Sequence, residues 1–213
     1  MSTLYNINGK KILFIHIPKT GGSSIGTVLE PYKVKVKPLT KDINRQIAGH
    51  QDYNECMLHC DPDLVFTVIR NTWDWRSSWY HYVKNDTRGL SGCRKEHKEL
   101  VKQTFKEHIK WLSKEPYDNF TSSINQGIES KLFIKSQLDY IKDCKNIKLL
   151  RFENLKEDFE EYMNSLGYSI KLDVHKLKST NNNYKNEYDA EAINIVKELY
   201  VEEIDNFKYE INH

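Results

Sequence analysis

The stretch KKILFIHIPKTGGSSIGTVLE, residues 10–30, passes from an apolar, β-branched run into a lysine, two glycines and two serines, and then into apolar residues at helical spacing. The run KILFIHI, with charge before it and Pro18 after it, reads as a buried strand. From Ser23 or Ser24 onward, Ile25, Val28 and Leu29 fall on one helical face, with a serine available as N-cap. The predicted helix runs to about Glu30, ahead of Pro31. The glycines therefore sit between a strand and a helix. That junction presents unpaired backbone N–H groups and a partial positive charge, and glycine lets the backbone approach an anion. Lys19 adds a point charge, and Thr20, Ser23 and Ser24 add hydroxyls.

The loop is not an ordinary nucleotide loop. The pattern G-x-x-x-x-G-K-[ST] places its lysine after the last glycine, whereas Lys19 precedes Gly21 and Gly22. A dinucleotide fingerprint is absent as well, because GGSSIG has the wrong glycine spacing. The plain alternative is a tight glycine turn beside a solvated lysine.

At 213 residues the chain is expected to form one domain with a substantial core. Its 32 Lys and Arg against 30 Asp and Glu leave a formal charge of +2, so the overall balance calls for neither nucleic acid nor a membrane surface, and any anion site must be local. No stretch approaches the roughly 18 apolar residues of a membrane span, and the N-terminus lacks the pattern of a secretory signal. The four cysteines show no repeating framework. A soluble, cytoplasmic chain is the expectation.

A second strand-to-helix junction occurs in DLVFTVIRNTWDWRSSWYHYVK, residues 63–84, where Asn71 or Thr72 could cap a helix carrying Trp73, Ser77 and Tyr80. A third strand, NIKLLRF, precedes NLKEDFEEYMNSLG, whose Leu155, Phe159, Tyr162, Met163 and Leu166 form an apolar stripe ending at Gly167. Strands alternating with helices imply an α/β fold with a mostly parallel sheet covered on both faces. Residues 84–130 are polar, with one predicted helix from about Arg94 to Ser113; TNNNYKN, near residue 180, reads as loop.

On these residues the chain resembles the sulfotransferases that use 3′-phosphoadenosine 5′-phosphosulfate (PAPS), in particular their carbohydrate-type branch, which includes the heparan sulfate 2-O-sulfotransferases. HIPKTGGSS resembles the family's 5′-phosphosulfate loop, and VIRNTWDWRSSWYHY its 3′-phosphate element, an arginine at a strand end followed eight positions later by a serine. The segments SQLDYI, KLLRFENLKEDFEEYMNSLG and NEYDAEAINIVKELYVEEIDNFKYE resemble its C-terminal parts. The resemblance implies a P-loop-like three-layer fold, PAPS as donor, no metal requirement, and an acceptor hydroxyl on a carbohydrate. It assigns donor binding to Lys19, Thr20, Gly21, Gly22, Ser23, Ser24, Arg70 and Ser78, with Lys178, Ser179 and Thr180 in a loop closing over the nucleotide. Physically, an arginine fork and a hydroxyl two turns into the next helix can converge on one phosphate. The plainer reading pairs Arg70 with Asp74 and turns Ser78 inward.

The resemblance also places a Gly-His pair, here Gly49 and His50, between the two nucleotide elements, and makes His50 the general base. Lys19 would stabilise the leaving phosphate. His16, His59 and His81 are weaker candidates, and Asp52 or Glu55 would need a raised pKa to serve. His50, Cys56, His59 and Cys60 lie close in sequence, but their spacing is irregular for zinc. Glu153 reads as a structural tie between strand and helix. Where the family has R-[DN]-P-x-x-R, Thr72 replaces the proline and Trp75 the second arginine, with Arg76 one place later. Trp73 and Trp79 read as core anchors and Trp75 as the exposed tryptophan. The 84–130 stretch, with Lys84, Arg88, Arg94, Lys95 and Lys98, is the expected acceptor-binding region. Two rival functions remain: a P-loop-like nucleotide kinase, and a module that binds a nucleotide or sulfated glycan without turnover.

Overall fold

The computed structural model describes residues 1–35, 50–85, 102–114, 135–173 and 183–211. In chain order these form β1 (Thr3–Ile7), β2 (Lys10–Ile15), α1 (Gly22–Val28), α2 (Tyr53–Met57), β3 (Leu64–Ile69) and α3 (Thr72–Lys84). There follow α4 (Phe105–Leu112), α5 (Gln137–Ile141), β4 (Ile147–Arg151), α6 (Leu155–Ser165), α7 (Ala190–Leu199) and α8 (Val201–Phe207). The chain divides into two compact units, Met1–Arg70 with Gln137–Lys178, and Asn71–Ser136 with Ser179–His213.

The first unit holds a four-stranded sheet in the order β1-β2-β3-β4. β2, β3 and β4 are the three strands expected from the apolar runs, and they pair in parallel. β1 was not expected. It pairs antiparallel with β2, Thr3 opposite Phe14, across a turn in which Asn8 and Gly9 have φ of 49° and 89°. Two consecutive positive φ values define the tight hairpin turn for which Asn-Gly is the favoured pair. Phe14 and Phe66, on the neighbouring strands β2 and β3, stack at 4.9 Å, and Tyr162 of α6 lies 5.5 Å from Phe66. Phe159 and Met163 of α6 and Ile25 of α1 join the same core. Gly167, at φ 82°, ends the α6 segment as its position predicts: its N–H donates to Asn164 O at 2.9 Å, and Tyr168 N donates to Met163 O at 2.9 Å.

The second unit is helical among its described residues. Asn71 caps α3, its Oδ1 accepting from Trp73 N at 3.1 Å. The Glu203 carboxylate, 1 % exposed, accepts from Thr72 Oγ1 at 2.6 Å and Ser136 Oγ at 2.7 Å, and so ties α8 to the start of α3. Tyr188 OH donates to Trp73 O at 2.8 Å. Trp73 and Trp79 are buried as expected, but Trp75, expected to be exposed, is 1 % exposed. The reason is a contact that local periodicity cannot show: Trp75 meets Tyr200 edge to face at 6.3 Å. Of the helix expected over Arg94–Ser113, the described part is α4, opened by a capping box of Thr104 and Glu107. No helix among the described residues is long and apolar enough to cross a membrane.

Candidate functional site

β2 ends at Ile15, and the chain turns through Lys19, at φ 66°, and Gly21, at φ 83°, before α1 begins at Gly22. A lysine in the left-handed region is uncommon and costs energy, which the surrounding structure must offset. The expected serine cap is not formed. Gly21 occupies the N-cap position without a side-chain hydrogen bond, and both serines lie inside the first turn, Ser23 exposed and Ser24 buried. The helix starts early because Gly21 takes the left-handed conformation that a serine would adopt only with strain. The Thr20 hydroxyl turns inward and donates to Ile17 O at 2.8 Å.

The two loop glycines have a packing role that the sequence does not reveal. A Cβ on Gly21 would stand 2.6 Å from Leu155 Cδ2 and 3.2 Å from Phe152 Cδ2. One on Gly22 would stand 2.1 Å from Cδ2 and 2.2 Å from Nε2 of His16. The space freed by each missing side chain is thus filled by the protein itself.

Arg70 follows β3 and is 4 % exposed. The Gln137 side chain holds its backbone on both sides, accepting from Arg70 N at 2.9 Å and donating to Arg70 O at 2.8 Å. The guanidinium lies 4.1 Å from the Phe152 ring centroid, and Nη1 donates to Lys19 O at 2.8 Å. Arg70 therefore fastens the loop that carries Lys19 and adds a second cation there. Burial, and then the Arg70 charge, push the Lys19 ammonium down to about 8.

His50 is joined to the same loop. Its Nδ1 lies 3.0 Å from the His16 carbonyl oxygen, which can only accept, so Nδ1 carries the proton and Nε2 keeps its lone pair. The two imidazoles meet edge to face at 4.6 Å. Burial pushes His50 down to about 4, and His16, 7 % exposed, well below its ordinary range. Both are neutral at pH 7. The Met1 ammonium contacts His16 Nδ1. Asp52 and Glu55, the alternative bases, are engaged in a capping box at the start of α2, at 3.0 and 3.1 Å.

The structure therefore brings Lys19, Gly21, Gly22, Ser23, Ser24, Arg70 and His50 into the first unit, at the strand-end side of the sheet. Ser78 is buried in α3 of the second unit. Gly49, Lys178, Ser179 and Thr180 lie outside the described residues. Burial pushes the Cys56 thiol up to about 12 and the Cys60 thiol up to about 11. Among the described residues, no group of three or more His, Cys, Asp or Glu could hold a metal ion. Sequence reasoning missed Gln137 and Phe152 as supports of Arg70. A buried glutamine 67 positions away leaves no local signal.

A mostly parallel sheet flanked by helices, with a glycine loop joining β2 to α1, defines a P-loop-like α/β fold. No protein-family model matches the chain, and no curated protein matches it. Among solved structures it is similar to the crystal structure of mouse sulfotransferase SULT7A1 complexed with PAP, with a TM-score of 0.51 and 14 % identity over 96 % of this chain and 95 % of that one. The likeness spans both units, and what the two proteins share is the fold.

Proposed function

We propose that this chain transfers the sulfuryl group of PAPS to a hydroxyl on a carbohydrate acceptor. The observation that carries the reading is the Arg70–Lys19 link, a buried guanidinium bonded at 2.8 Å to the backbone of a strand-end loop that carries a second cation. The fold, shared with a sulfotransferase solved with PAP, supports it. Two fixed cations and the exposed Ser23 hydroxyl suit a phosphate dianion. Lys19 would receive negative charge as it develops on the leaving 5′-phosphate, with Arg70 on the 3′-phosphate side.

The donor supplies an activated S–O bond. Lys19 and Arg70 anchor its phosphate end, and Lys19 neutralises the electron pair left on the phosphate oxygen when that bond breaks. The acceptor oxygen forms the new bond to sulfur from the opposite side, and its proton passes to Nε2 of His50. The His16 carbonyl holds His50 in the tautomer this step requires. A phosphosulfate beside His50 raises its proton affinity from the low value that burial imposes.

The test is transfer of radiolabel from PAPS to saccharide acceptors by the wild type and by His50→Ala. The expected result is labelled product with the wild type and a loss of about a hundredfold or more in kcat for His50→Ala, with affinity for adenosine 3′,5′-bisphosphate retained. Wild-type turnover by His50→Ala would remove the base assignment. Binding without any transfer would favour a non-catalytic module.

A further inference from the structure

The first unit contains a groove of about 600 Å³ between β1 and α1, within the range of about 300–1,000 Å³ typical of small-molecule sites. We propose that this groove is the acceptor cleft and that it takes a neutral, hydroxyl-rich acceptor, not a polyanionic glycan. The assignment rests on the sulfuryl-transfer reading given above, and it moves the acceptor away from the basic 84–130 stretch.

The inner end of the groove is formed by Gly22 and Ser23, which belong to the proposed donor loop, and by His16. His16 in turn touches His50 at 4.6 Å between ring centroids and holds it through its carbonyl. An attacking hydroxyl must reach sulfur from a space continuous with both the donor loop and the base. This groove is lined by the donor loop at Gly22 and Ser23 and by His16, the residue packed against the base.

The walls carry hydroxyls and no net charge. Thr3, Tyr5, Ser23 and Thr27 are hydroxyl-bearing residues among those that line the groove; the Thr3 and Thr27 hydroxyls donate to Met1 O and Ser23 O at 2.9 Å and keep their oxygens as acceptors. Burial pushes the Tyr5 phenol up to about 12, so it remains a neutral hydrogen-bond donor. The only carboxylate and lysine among the lining residues, Glu30 and Lys33, pair with each other at 3.4 Å and leave no net charge. His16 is neutral, and burial pushes the Met1 ammonium down to about 6. A sulfated or uronate-rich polymer would meet no surplus of cations here, whereas a polyol would find donors and acceptors.

Gly26 faces the groove from α1, and a Cβ built there meets nothing within 4 Å. The far end is fixed where Val34 N donates to Leu4 O at 2.9 Å, joining the chain beyond α1 to β1. The groove therefore has firm walls and an unfilled middle.

The experiment uses the full chain and radiolabelled PAPS with two acceptor panels, uncharged oligosaccharides and sulfated or uronate-containing ones. It compares the wild type with Gly26→Leu, whose Cβ has open space and whose longer side chain extends into the groove. The expected result is transfer to uncharged acceptors, with acceptor KM raised about tenfold or more in Gly26→Leu. Affinity for adenosine 3′,5′-bisphosphate should be unchanged, and the melting temperature no lower than that of the wild type. An unchanged acceptor KM in Gly26→Leu, or preference for the anionic panel, would overturn the assignment. If sulfate is transferred but only to the anionic panel, or with acceptor KM unchanged in Gly26→Leu, the cleft assignment fails alone; if neither panel is sulfated, or adenosine 3′,5′-bisphosphate does not bind, the sulfuryl-transfer reading fails with it.

Discussion

Replacing Gly22 with alanine separates two explanations of the loop glycines, close approach to a ligand and packing against His16. The new Cβ would lie 2.1, 2.2 and 2.8 Å from Cδ2, Nε2 and Cγ of the imidazole, all closer than real side-chain contacts. Displacing the ring would break its stacking with Phe14 at 5.6 Å and its edge-to-face contact with His50 at 4.6 Å. Overpacking of this kind costs about 1–3 kcal/mol. In a chain of this size that lowers the melting temperature by about 2–12 °C. Alanine's better helix propensity offsets part of this, about 0.5–1 kcal/mol, so a double-mutant cycle is the cleaner readout. With the ligand absent, urea unfolding of Gly22→Ala, His16→Ala and the double variant should give a coupling of about 1–3 kcal/mol, the alanine being tolerated once the imidazole is gone. Additive costs would refute the packing explanation and leave the glycine to the ligand.

Other outcomes follow from single groups. None of the three guanidinium nitrogens of Arg76, which is 0 % exposed, has a hydrogen-bond partner among the described residues, and the group lies 5.4 Å from Trp75 and 5.7 Å from Tyr200. Arg76→Met should therefore stabilise the protein by about 1–4 kcal/mol in urea unfolding, and a loss of stability would contradict this. Glu203→Ala leaves the buried Thr72 hydroxyl and the half-buried Ser136 hydroxyl without this acceptor and should cost about 1–3 kcal/mol, read as a lower unfolding midpoint. Burial lowers the proton affinity of His16, His50 (to about 4) and His108 (to about 3), so the unfolded chain binds more protons than the folded one below about pH 6.5. Their contribution to stability is complete above that pH. As pH falls toward the folded-state values, it is lost at up to about 1.4 kcal/mol per pH unit for each histidine. Unfolding measured at pH 7 and pH 5 checks the slope, and His108→Phe should reduce it.

Much of the sheet was legible in the sequence because β2 and β3 are largely buried apolar runs, while β4, buried only at Leu150, is marked by the apolar residues of NIKLLRF. β1 was not, since TLYNI is short and its polar residues break the run, although Asn8-Gly9 held the hairpin signal. Lys19 and Arg70 were legible as cations at strand ends, because both junctions end an apolar run. Their connection was not, since it is made by a backbone carbonyl 51 positions away. The glycines were read as openings for a ligand, while the groups that fill the space beside Gly21 are Phe152 and Leu155, distant in sequence. Trp75 was misjudged for the same reason. Its face of α3 is covered by Tyr200, which no local pattern announces.

The central claim, that Lys19 and Arg70 hold the phosphates of a 3′-phosphorylated adenosine nucleotide, is tested most directly by calorimetry with adenosine 3′,5′-bisphosphate, adenosine 5′-monophosphate and ATP. Tightest binding is expected for the bisphosphate, with a loss of about tenfold or more in Lys19→Ala and in Arg70→Met. Equal affinity for ATP, or bisphosphate binding that survives both substitutions unchanged, would contradict it.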